Sequence, residues 1–210
     1  MTSRLPKAVS QRLSLYLRHL EGLEEVGRPT VSSSQLARAL GLTAAQVRKD
    51  LTYFGQFGYP GVGYKVPHLL QEVRRILGTD RVWPVALVGA GNLGTALLRY
   101  RGFRKQRFEI VSVFDSDPSV AGKTVGKVKI LPVRDMVKQI RSKGIRLAIV
   151  AVPADAAQEV ASRLADAGVR GILNFAPVRI EVPPEVRVLG VDLAIQLEQL
   201  AFQVRADDGG

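Results

Sequence analysis

The stretch VALVGAGNLGTA at residues 85–96 indicates how the larger part of this chain folds. Its apolar start predicts a buried strand, GAGNLG predicts a tight turn, and the residues after it begin a helix. Gly89 permits the turn, Gly91 lets a pyrophosphate approach the backbone, and Gly94 lets the helix pack against the sheet. The helix N-terminus would attract the phosphate charge. The stretch therefore predicts a dinucleotide site that consists of Gly89, Ala90, Gly91, Asn92, Leu93 and Gly94.

Short apolar segments recur downstream of this turn. PVALVG, EIVSVFD, RLAIVAVP and GILNF read as buried strands, and helical patterns near 92–100, 135–143 and 154–167 separate them. Such alternation is typical of an α/β fold with a Rossmann-like, doubly wound parallel sheet. The remaining alternatives are a domain of this type without a nucleotide, and a related fold that binds coenzyme A.

Asp115 ends the second of these strands, 21 residues after Gly94. A carboxylate there would accept hydrogen bonds from both ribose hydroxyls of an adenosine and would repel a 2′-phosphate. The sequence therefore predicts NADH and NAD⁺ as cofactors in preference to the phosphorylated form.

The stretch TAAQVRKDLTYFGQFGYPGVGYKV at residues 43–66 has a different pattern. Thr43 is predicted to cap a helix, with Gln46 completing a capping box, and the glycines around Pro60 and Gly61 predict a hairpin wing. A helix over 9–26 and a short helix after the serines at 32–34 precede it. The order of helix, turn, helix and wing favours a winged-helix domain that binds double-stranded DNA, whereas charge and capping alone would equally fit a packing module.

The residues expected to contact DNA fall into three groups. Ser33, Thr43 and Arg48 suit phosphates, which set register without reading bases. Gln46, Lys49 and Asp50 would face base edges in the major groove. Tyr64 and Lys65 in the wing would enter a minor groove or contact its phosphates.

Composition narrows the functional classes. The formal charge of +11 favours a polyanionic partner, and the absence of cysteine excludes disulfides and thiol-based redox sensing. Neither histidine, His19 nor His68, lies in the dinucleotide half, and no Tyr-x-x-x-Lys follows Gly94, so no catalytic set is evident. We find no signal peptide or membrane span and expect a cytoplasmic protein with no metal site and no membrane partner.

Four segments together resemble the redox-sensing transcriptional repressor family called Rex. They are QVRKDLTYFGQFGYPGVGY at 46–64, GAGNLG at 89–94, ILNFAPV at 172–178 and VDLAIQLEQL at 191–200. The resemblance covers essentially the whole chain in the right order. It implies a homodimeric repressor that binds operator DNA when NADH is low and releases it on binding NADH.

The resemblance also implies an organisation and further site residues. A winged-helix domain would span 1–78, an NAD(H)-binding Rossmann domain 79–190, and a domain-swapped dimerisation helix with a tail 191–210. The nicotinamide side would be lined by Val152, Pro153, Phe175, Ala176 and Pro177. An allosteric switch would link Arg18, Tyr100 and the partner's Asp192.

From the residues alone, the final segment is only an amphipathic helix with an apolar stripe of Leu193, Leu197, Leu200 and Val204, which must pack against something. The alternative function for the whole chain is an NAD-dependent oxidoreductase with a basic accessory domain. Hydride turnover would favour the enzyme, and loss of operator binding on adding NADH would favour the repressor.

Overall fold

The computed structural model describes residues 6–59 and 62–208, so Pro60 and Gly61 of the predicted wing lie outside the described residues. The chain divides into two compact units, Met1–Arg81 and Val82–Gly210. The predicted domain limits of 1–78, 79–190 and 191–210 remain a proposal.

The N-terminal unit has four helices and three short strands within its described residues. They are α1 (Lys7–Glu25), β1 (Thr30–Val31), α2 (Ser33–Leu40), α3 (Ala44–Thr52), β2 (Gly58–Tyr59), β3 (Gly63–Lys65) and α4 (Val66–Leu77). The strands form an antiparallel sheet in the order β1-β3-β2. The predicted winged-helix order is therefore confirmed.

Burial at helical spacing holds this unit together. Leu13, Leu17 and Leu20 on α1 are almost fully buried and share one core with Leu69 and Val73 of α4. Helix α4 begins at Val66, because Pro67 is well tolerated in a first helical turn.

The helix caps differ partly from the prediction. The complete capping box lies on α2, where Ser32 and Gln35 bond each other's backbone N–H groups. Thr43 caps α3 as expected, with its Oγ1 accepting the N–H of Gln46 at 3.1 Å. The Gln46 side chain donates to Asp50 and does not bond the Thr43 backbone, so the capping box predicted for α3 is wrong.

The C-terminal unit alternates strands and helices. Its elements are β4 (Trp83–Val88), α5 (Asn92–Arg99), α6 (Arg101–Lys105), β5 (Phe108–Asp115), β6 (Thr124–Val125), β7 (Val128–Pro132), α7 (Met136–Ser142), β8 (Leu147–Val150), α8 (Ala154–Asp166), β9 (Gly171–Asn174), β10 (Arg187–Gly190) and α9 (Leu193–Asp208). The strands lie in the order β10-β9-β8-β4-β5-β7-β6, and all neighbours are parallel except β6 and β7.

This sheet has a core on each face. Ala86 and Val88 of β4 pack with α7 and α8, in what we call the α7–α8 core. Val85 and Leu87 belong to the opposite α5–α6 core, which includes Leu97 and Phe103. The predicted doubly wound sheet is confirmed, and its strand order reverses between β4 and β8. Ligands bind at such a point in open α/β sheets.

Helix α9 is the last element of the described residues and has large apolar side chains on two opposite sides. Leu193, Leu197, Leu200 and Val204 form the predicted stripe, and each is at least half exposed. Ile195 and Phe202 are also exposed and, at 100° per residue, point to the other side. The prediction of a single apolar stripe is therefore incomplete. Within residues 6–59 and 62–208, no helix has the length and apolar character required to cross a bilayer.

Candidate functional site

The glycine-rich turn leaves β4 at the reversal point of the sheet. Gly89 has φ +95°, and a Cβ at this position would collide with the backbone oxygen of Ala151, just beyond β8. A Cβ on Gly94 would collide with the backbone oxygen of Gly89, so α5 sits directly on the turn. Gly91 is different, because nothing lies within 4 Å of the position of its Cβ. The two flanking glycines make the turn, and the middle one leaves open space beside it.

Helix α5 begins at this open space. Gly91 is its N-cap and offers no side chain to bond the first N–H groups of the helix. Thr95 stabilises the turn from within the helix by donating from Oγ1 to the Ala90 oxygen at 3.0 Å. Asn92 and Leu93 are exposed at the start of the helix. A helix N-terminus without a side-chain cap, next to unfilled space, suits a diphosphate.

Asp115 and the glycine-rich turn lie together, although they are far apart in sequence. The Asp115 Oδ2 atom accepts the Ala90 N–H at 2.6 Å, and its Oδ1 atom accepts the Asp117 N–H at 2.9 Å. These bonds fix the carboxylate beside the turn and leave each oxygen a further lone pair. A ribose next to the diphosphate could therefore present its two hydroxyls to this carboxylate.

The segments after two further strands lie at the same edge of the sheet, where the parallel strands have their carboxyl ends. Val152 and Pro153 follow β8, and the Val152 Cγ1 atom would lie 3.1 Å from a Cβ on Gly89. Phe175 and Pro177 follow β9, and the Phe175 N–H donates to the Val150 oxygen at 2.9 Å. These four side chains are at least partly exposed.

Ala176 requires a correction. It is 6% exposed, and its methyl group packs in the α7–α8 core. Its backbone N–H donates to Oδ1 of the buried Asn174 side chain. The Nδ2 atom of Asn174 donates to the backbone oxygens of Ala176 and Val178. Ala176 therefore shapes the loop after β9 and does not line a ligand site with its side chain.

In the N-terminal unit, the structure brings together two residues that were predicted to contact DNA. The Arg48 Nη1 atom donates to Ser33 Oγ at 3.0 Å, which links α3 to the start of α2. Lys49 and Lys65 are exposed. The unit therefore has a hydroxyl side chain at the start of α2 (Ser33) and of α3 (Thr43). It also has three cationic side chains, which are Arg48, Lys49 and Lys65.

Asp50 does not face a base edge, contrary to the prediction. It is 3% exposed and accepts four hydrogen bonds. Arg12 donates from Nε and Nη2 at 2.6 and 2.8 Å, Tyr16 from its hydroxyl at 2.7 Å and Gln46 from its amide at 2.8 Å. The carboxylate thus holds α3 against α1. The Gln46 amide donates one of its hydrogen bonds within the protein, to Asp50.

This network shifts the acidity of its members. Burial raises the pKa of Asp50, but the hydrogen bonds from Arg12, Tyr16 and Gln46 outweigh burial and hold its pKa below the usual value. Burial and the bond to Asp50 raise the pKa of Tyr16 far above that of free tyrosine. Asp50 is therefore ionised and Tyr16 neutral at physiological pH. Asp50 lies three residues after Val47, on the buried face of α3, and this position was the sequence signal that it joins α3 to the rest of the unit. No sequence signal identified Arg12 or Tyr16 as its partners.

Tyr64 also requires a correction. Its side chain is 9% exposed and belongs to the core of the N-terminal unit, where burial raises its pKa. A Cβ on Gly58 would lie 2.8 Å from the Tyr64 ring, so the facing strand must have glycine there. The ring therefore supports the wing from inside and does not enter a DNA groove.

The three predicted switch residues lie in different elements. Arg18 is exposed on α1 of the N-terminal unit. Tyr100 lies between α5 and α6, is 56% exposed and makes an edge contact with Phe103 at 5.1 Å between ring centroids. The Asp192 Oδ1 atom caps α9 by accepting the N–H groups of Ala194 and Ile195 at 2.9 and 3.2 Å. That these three residues meet stays a prediction.

Both halves of the chain match known family models. Residues 4–52 match a family described as a putative DNA-binding protein N-terminus, and residues 80–178 match a family described as a CoA binding domain. The redox-sensing transcriptional repressor Rex of Carboxydothermus hydrogenoformans is 50% identical over 97% of this chain and 98% of its own length.

Solved structures agree with this relationship. A crystal structure of RSP in complex with β-NAD⁺ and operator DNA matches with a TM-score of 0.93 at 34% identity, covering 99% of this chain and 95% of that one. A crystal structure of RSP in complex with β-NADH matches with a TM-score of 0.87 at 33% identity, covering 99% and 97%. These relatives are regulators, which favours the repressor interpretation over the oxidoreductase.

Proposed function

The chain belongs to the Rex family of redox-sensing transcriptional repressors, and we propose that it binds operator DNA when NADH is scarce and releases it on binding NADH. The observation that carries this proposal is the Asp115 carboxylate bonded to the Ala90 N–H of the glycine-rich turn, in a chain whose other unit is a winged helix. The carboxylate at the turn suits the ribose of NAD(H), and the winged helix suits double-stranded DNA. We propose a cytoplasmic location, because operator DNA and NADH are both present in the cytoplasm.

An electrophoretic mobility shift titration tests this function directly. The protein is bound to a palindromic operator duplex and titrated with NADH, NAD⁺, NADPH or coenzyme A. We expect NADH alone to release the duplex at low concentration. Release by none of the four ligands would contradict the proposal, and hydride turnover with a hydroxy acid or aldehyde would revive the oxidoreductase.

Coenzyme A is the ligand suggested by the description of the second family model. Its ribose has a 3′-phosphate, so it lacks the free pair of hydroxyls that the Asp115 carboxylate would accept. A carboxylate fixed beside the turn repels that phosphate as it repels the 2′-phosphate of NADPH. We therefore assign NADH and NAD⁺ to the site.

Replacing Asp115 by alanine tests the cofactor assignment. We expect Asp115→Ala to weaken NADH binding about tenfold or more, since hydrogen bonds to a charged group contribute about 1.5–3 kcal/mol. NADPH binding should change little, so the preference for NADH should narrow. Isothermal titration measures both affinities. Asp117→Ala is the matched control, because it removes an exposed carboxylate two residues away. Equal affinity of the wild type for NADH and NADPH would contradict the assignment.

The proposed DNA surface consists of the exposed parts of α2, α3 and the wing. Ser33 and Thr43 lie at helix starts, where backbone N–H groups favour phosphates. Arg48 and Lys65 add positive charge to this surface, and Lys49 and Gln46 lie on the helix proposed to face the bases. The Arg48–Ser33 bond would hold the guanidinium near a phosphate before DNA arrives.

Substitutions on α3 test this surface. We expect Arg48→Ala to lower the slope of log affinity against log salt by about one unit, because one phosphate contact is lost. We expect Lys49→Ala to cost about 1–3 kcal/mol and to relax base preference. Mobility shifts at several salt concentrations measure both effects, with NADH affinity as the control. Wild-type operator binding by both variants would show that α3 is not the recognition helix.

We propose that α9 forms the homodimer. A helix with apolar side chains on opposite sides is stable only when it is covered on both. Leu193, Leu197 and Leu200 on one side and Ile195 and Phe202 on the other are all exposed in the single chain. A partner subunit that encloses α9 between two surfaces would bury both sets, as a domain swap does.

The proposed switch couples the cofactor to DNA through Arg18, Tyr100 and the partner's Asp192. A typical allosteric coupling is about 1–3 kcal/mol, whereas complete release needs about 5.5 kcal/mol, so two NADH molecules per dimer suit the task. We expect Arg18→Ala to bind NADH almost normally but to keep much of its operator affinity when NADH is saturating. Operator affinities with and without NADH measure this. An NADH effect of wild-type size in the variant would exclude Arg18 from the switch.

A further inference from the structure

Strand β5 changes its register against β4 halfway along its length. Val85 pairs with Ile110, but the next residue, Ala86, pairs with Ser112. Val111 is therefore an extra residue on β5 with no partner on β4. It also precedes Val113, the first residue of β5 that pairs with β7. Such an insertion is a β-bulge, which bends a strand and redirects the side chains after it.

The bulge changes which face of the sheet each later side chain occupies. Phe108 and Ile110 pack in the α5–α6 core before it, and Val113 packs there after it. Phe114 instead packs in the α7–α8 core. With strict alternation from Ile110, Val113 would lie on the α7–α8 face and Phe114 on the α5–α6 face. The extra residue exchanges the two, because a slip of one residue moves every following side chain to the other face.

Asp115 depends on this change of face. It lies two residues after Val113, so it shares the face on which Ala90 is packed. There its Oδ2 atom accepts the Ala90 N–H at 2.6 Å. Without the bulge, Asp115 would point to the α7–α8 side, away from the glycine-rich turn.

Lys143 holds the bulge from the end of α7. Its ammonium Nζ donates to the Val111 oxygen at 2.9 Å and to Ser112 Oγ at 2.9 Å. Ser112 is 1% exposed, so its hydroxyl is a buried acceptor for this cation. Lys143 thus bonds the two residues at which the register shifts.

We propose that Lys143 is a positioning residue for cofactor selection, which acts through the β5 bulge to set Asp115 against the turn. The proposal rests on the proposed NADH site. Lys143 touches no part of that site itself, and its effect reaches the ribose only through the backbone between Val111 and Asp115. Its removal should therefore loosen the discrimination between cofactors as well as lower affinity.

The test compares NADH and NADPH affinities by isothermal titration. Lys143→Met keeps the aliphatic stem and removes the ammonium, and we expect NADH binding to weaken about tenfold with little change for NADPH. The ratio of the two dissociation constants should fall by the same factor. Lys143→Arg keeps a cationic donor and should restore most of the ratio. Lys138→Met, at an exposed position within α7, is the control and should match the wild type.

The ratio separates positioning from general stability, because a merely destabilised fold weakens both cofactors alike. Ser112→Ala supplies a second variant should Lys143→Met fail to fold, and it should lower the ratio by a smaller factor. A wild-type ratio in Lys143→Met, or in Ser112→Ala if only that variant folds, overturns the role of Lys143 alone. A wild type with no preference for NADH overturns the assignment of Asp115 and this proposal with it.

Discussion

Replacing Asp50 by alanine should abolish specific operator binding while leaving the NADH site intact. The substitution removes the acceptor for Arg12, Tyr16 and Gln46 at once, and the Tyr16 side chain is fully buried. Breaking a buried charged pair by removing one partner costs about 3–5 kcal/mol. Helix α3 would then lose its fixed position against α1. Urea unfolding and mobility shifts measure the two losses, and isothermal titration with NADH checks the other unit.

Glu24→Ala is the matched control, because it removes an exposed carboxylate from α1 of the same unit. It should leave the free energy of unfolding and the operator affinity close to wild type. If Asp50→Ala binds operator as tightly as Glu24→Ala does, the Asp50 network does not position the recognition helix.

The Asp50 network also predicts a pH dependence. Its folded pKa is lowered from the ordinary value of 3.8, so the unfolded chain binds its proton first as the pH falls. The stability contributed by the carboxylate is therefore fully present above about pH 5 and is lost as the pH falls through the folded pKa. The difference in unfolding free energy between wild type and Asp50→Asn should be constant from pH 5 to about pH 7 and should shrink below pH 4. A constant difference down to pH 3 would contradict the lowered pKa.

Local patterns in the sequence predicted most of the architecture. The GAGNLG turn, the apolar strands and the helix spacings each depend on residues close in sequence, and the structure agrees with them. Strands β7 and β10 escaped prediction for identifiable reasons. Lys129 and Pro132 dilute the apolar pattern of β7, and all four residues of β10 are exposed at the sheet edge.

The errors at Asp50 and Tyr64 concern side chains whose surroundings come from distant parts of the chain. The sequence predicted Asp50 in a DNA groove, but its carboxylate binds Arg12 and Tyr16, which lie 38 and 34 residues earlier in the chain. Tyr64 is buried because a glycine at position 58 on the neighbouring strand leaves room for its ring. In the same way, the spacing predicted that Asp115 would accept the ribose hydroxyls of an adenosine, but it did not predict the bond to Ala90 or the bulge, held by Lys143, that brings Asp115 to the turn.

The glycines of the turn allow binding to be separated from folding. Gly91 has φ −65° and ψ −163°, which any residue can adopt, and its Cβ would point into open space. Gly91→Ala should therefore fold with wild-type stability, yet its methyl group would occupy the place where the pyrophosphate approaches. We expect NADH affinity to fall on the order of 100-fold. The variant should then remain on the operator at NADH concentrations that release the wild type.

Gly94→Ala provides the contrast, because its Cβ would collide with the backbone oxygen of Gly89 and the turn itself would have to move. Overpacking of this kind costs about 1–3 kcal/mol, so this variant should lose both stability and NADH binding. Thermal unfolding, isothermal titration and mobility shifts with NADH on both variants separate the two cases. Wild-type NADH affinity in Gly91→Ala would mean that no phosphate approaches this backbone. Since the turn geometry would be intact, the cofactor would then have to bind elsewhere on the sheet.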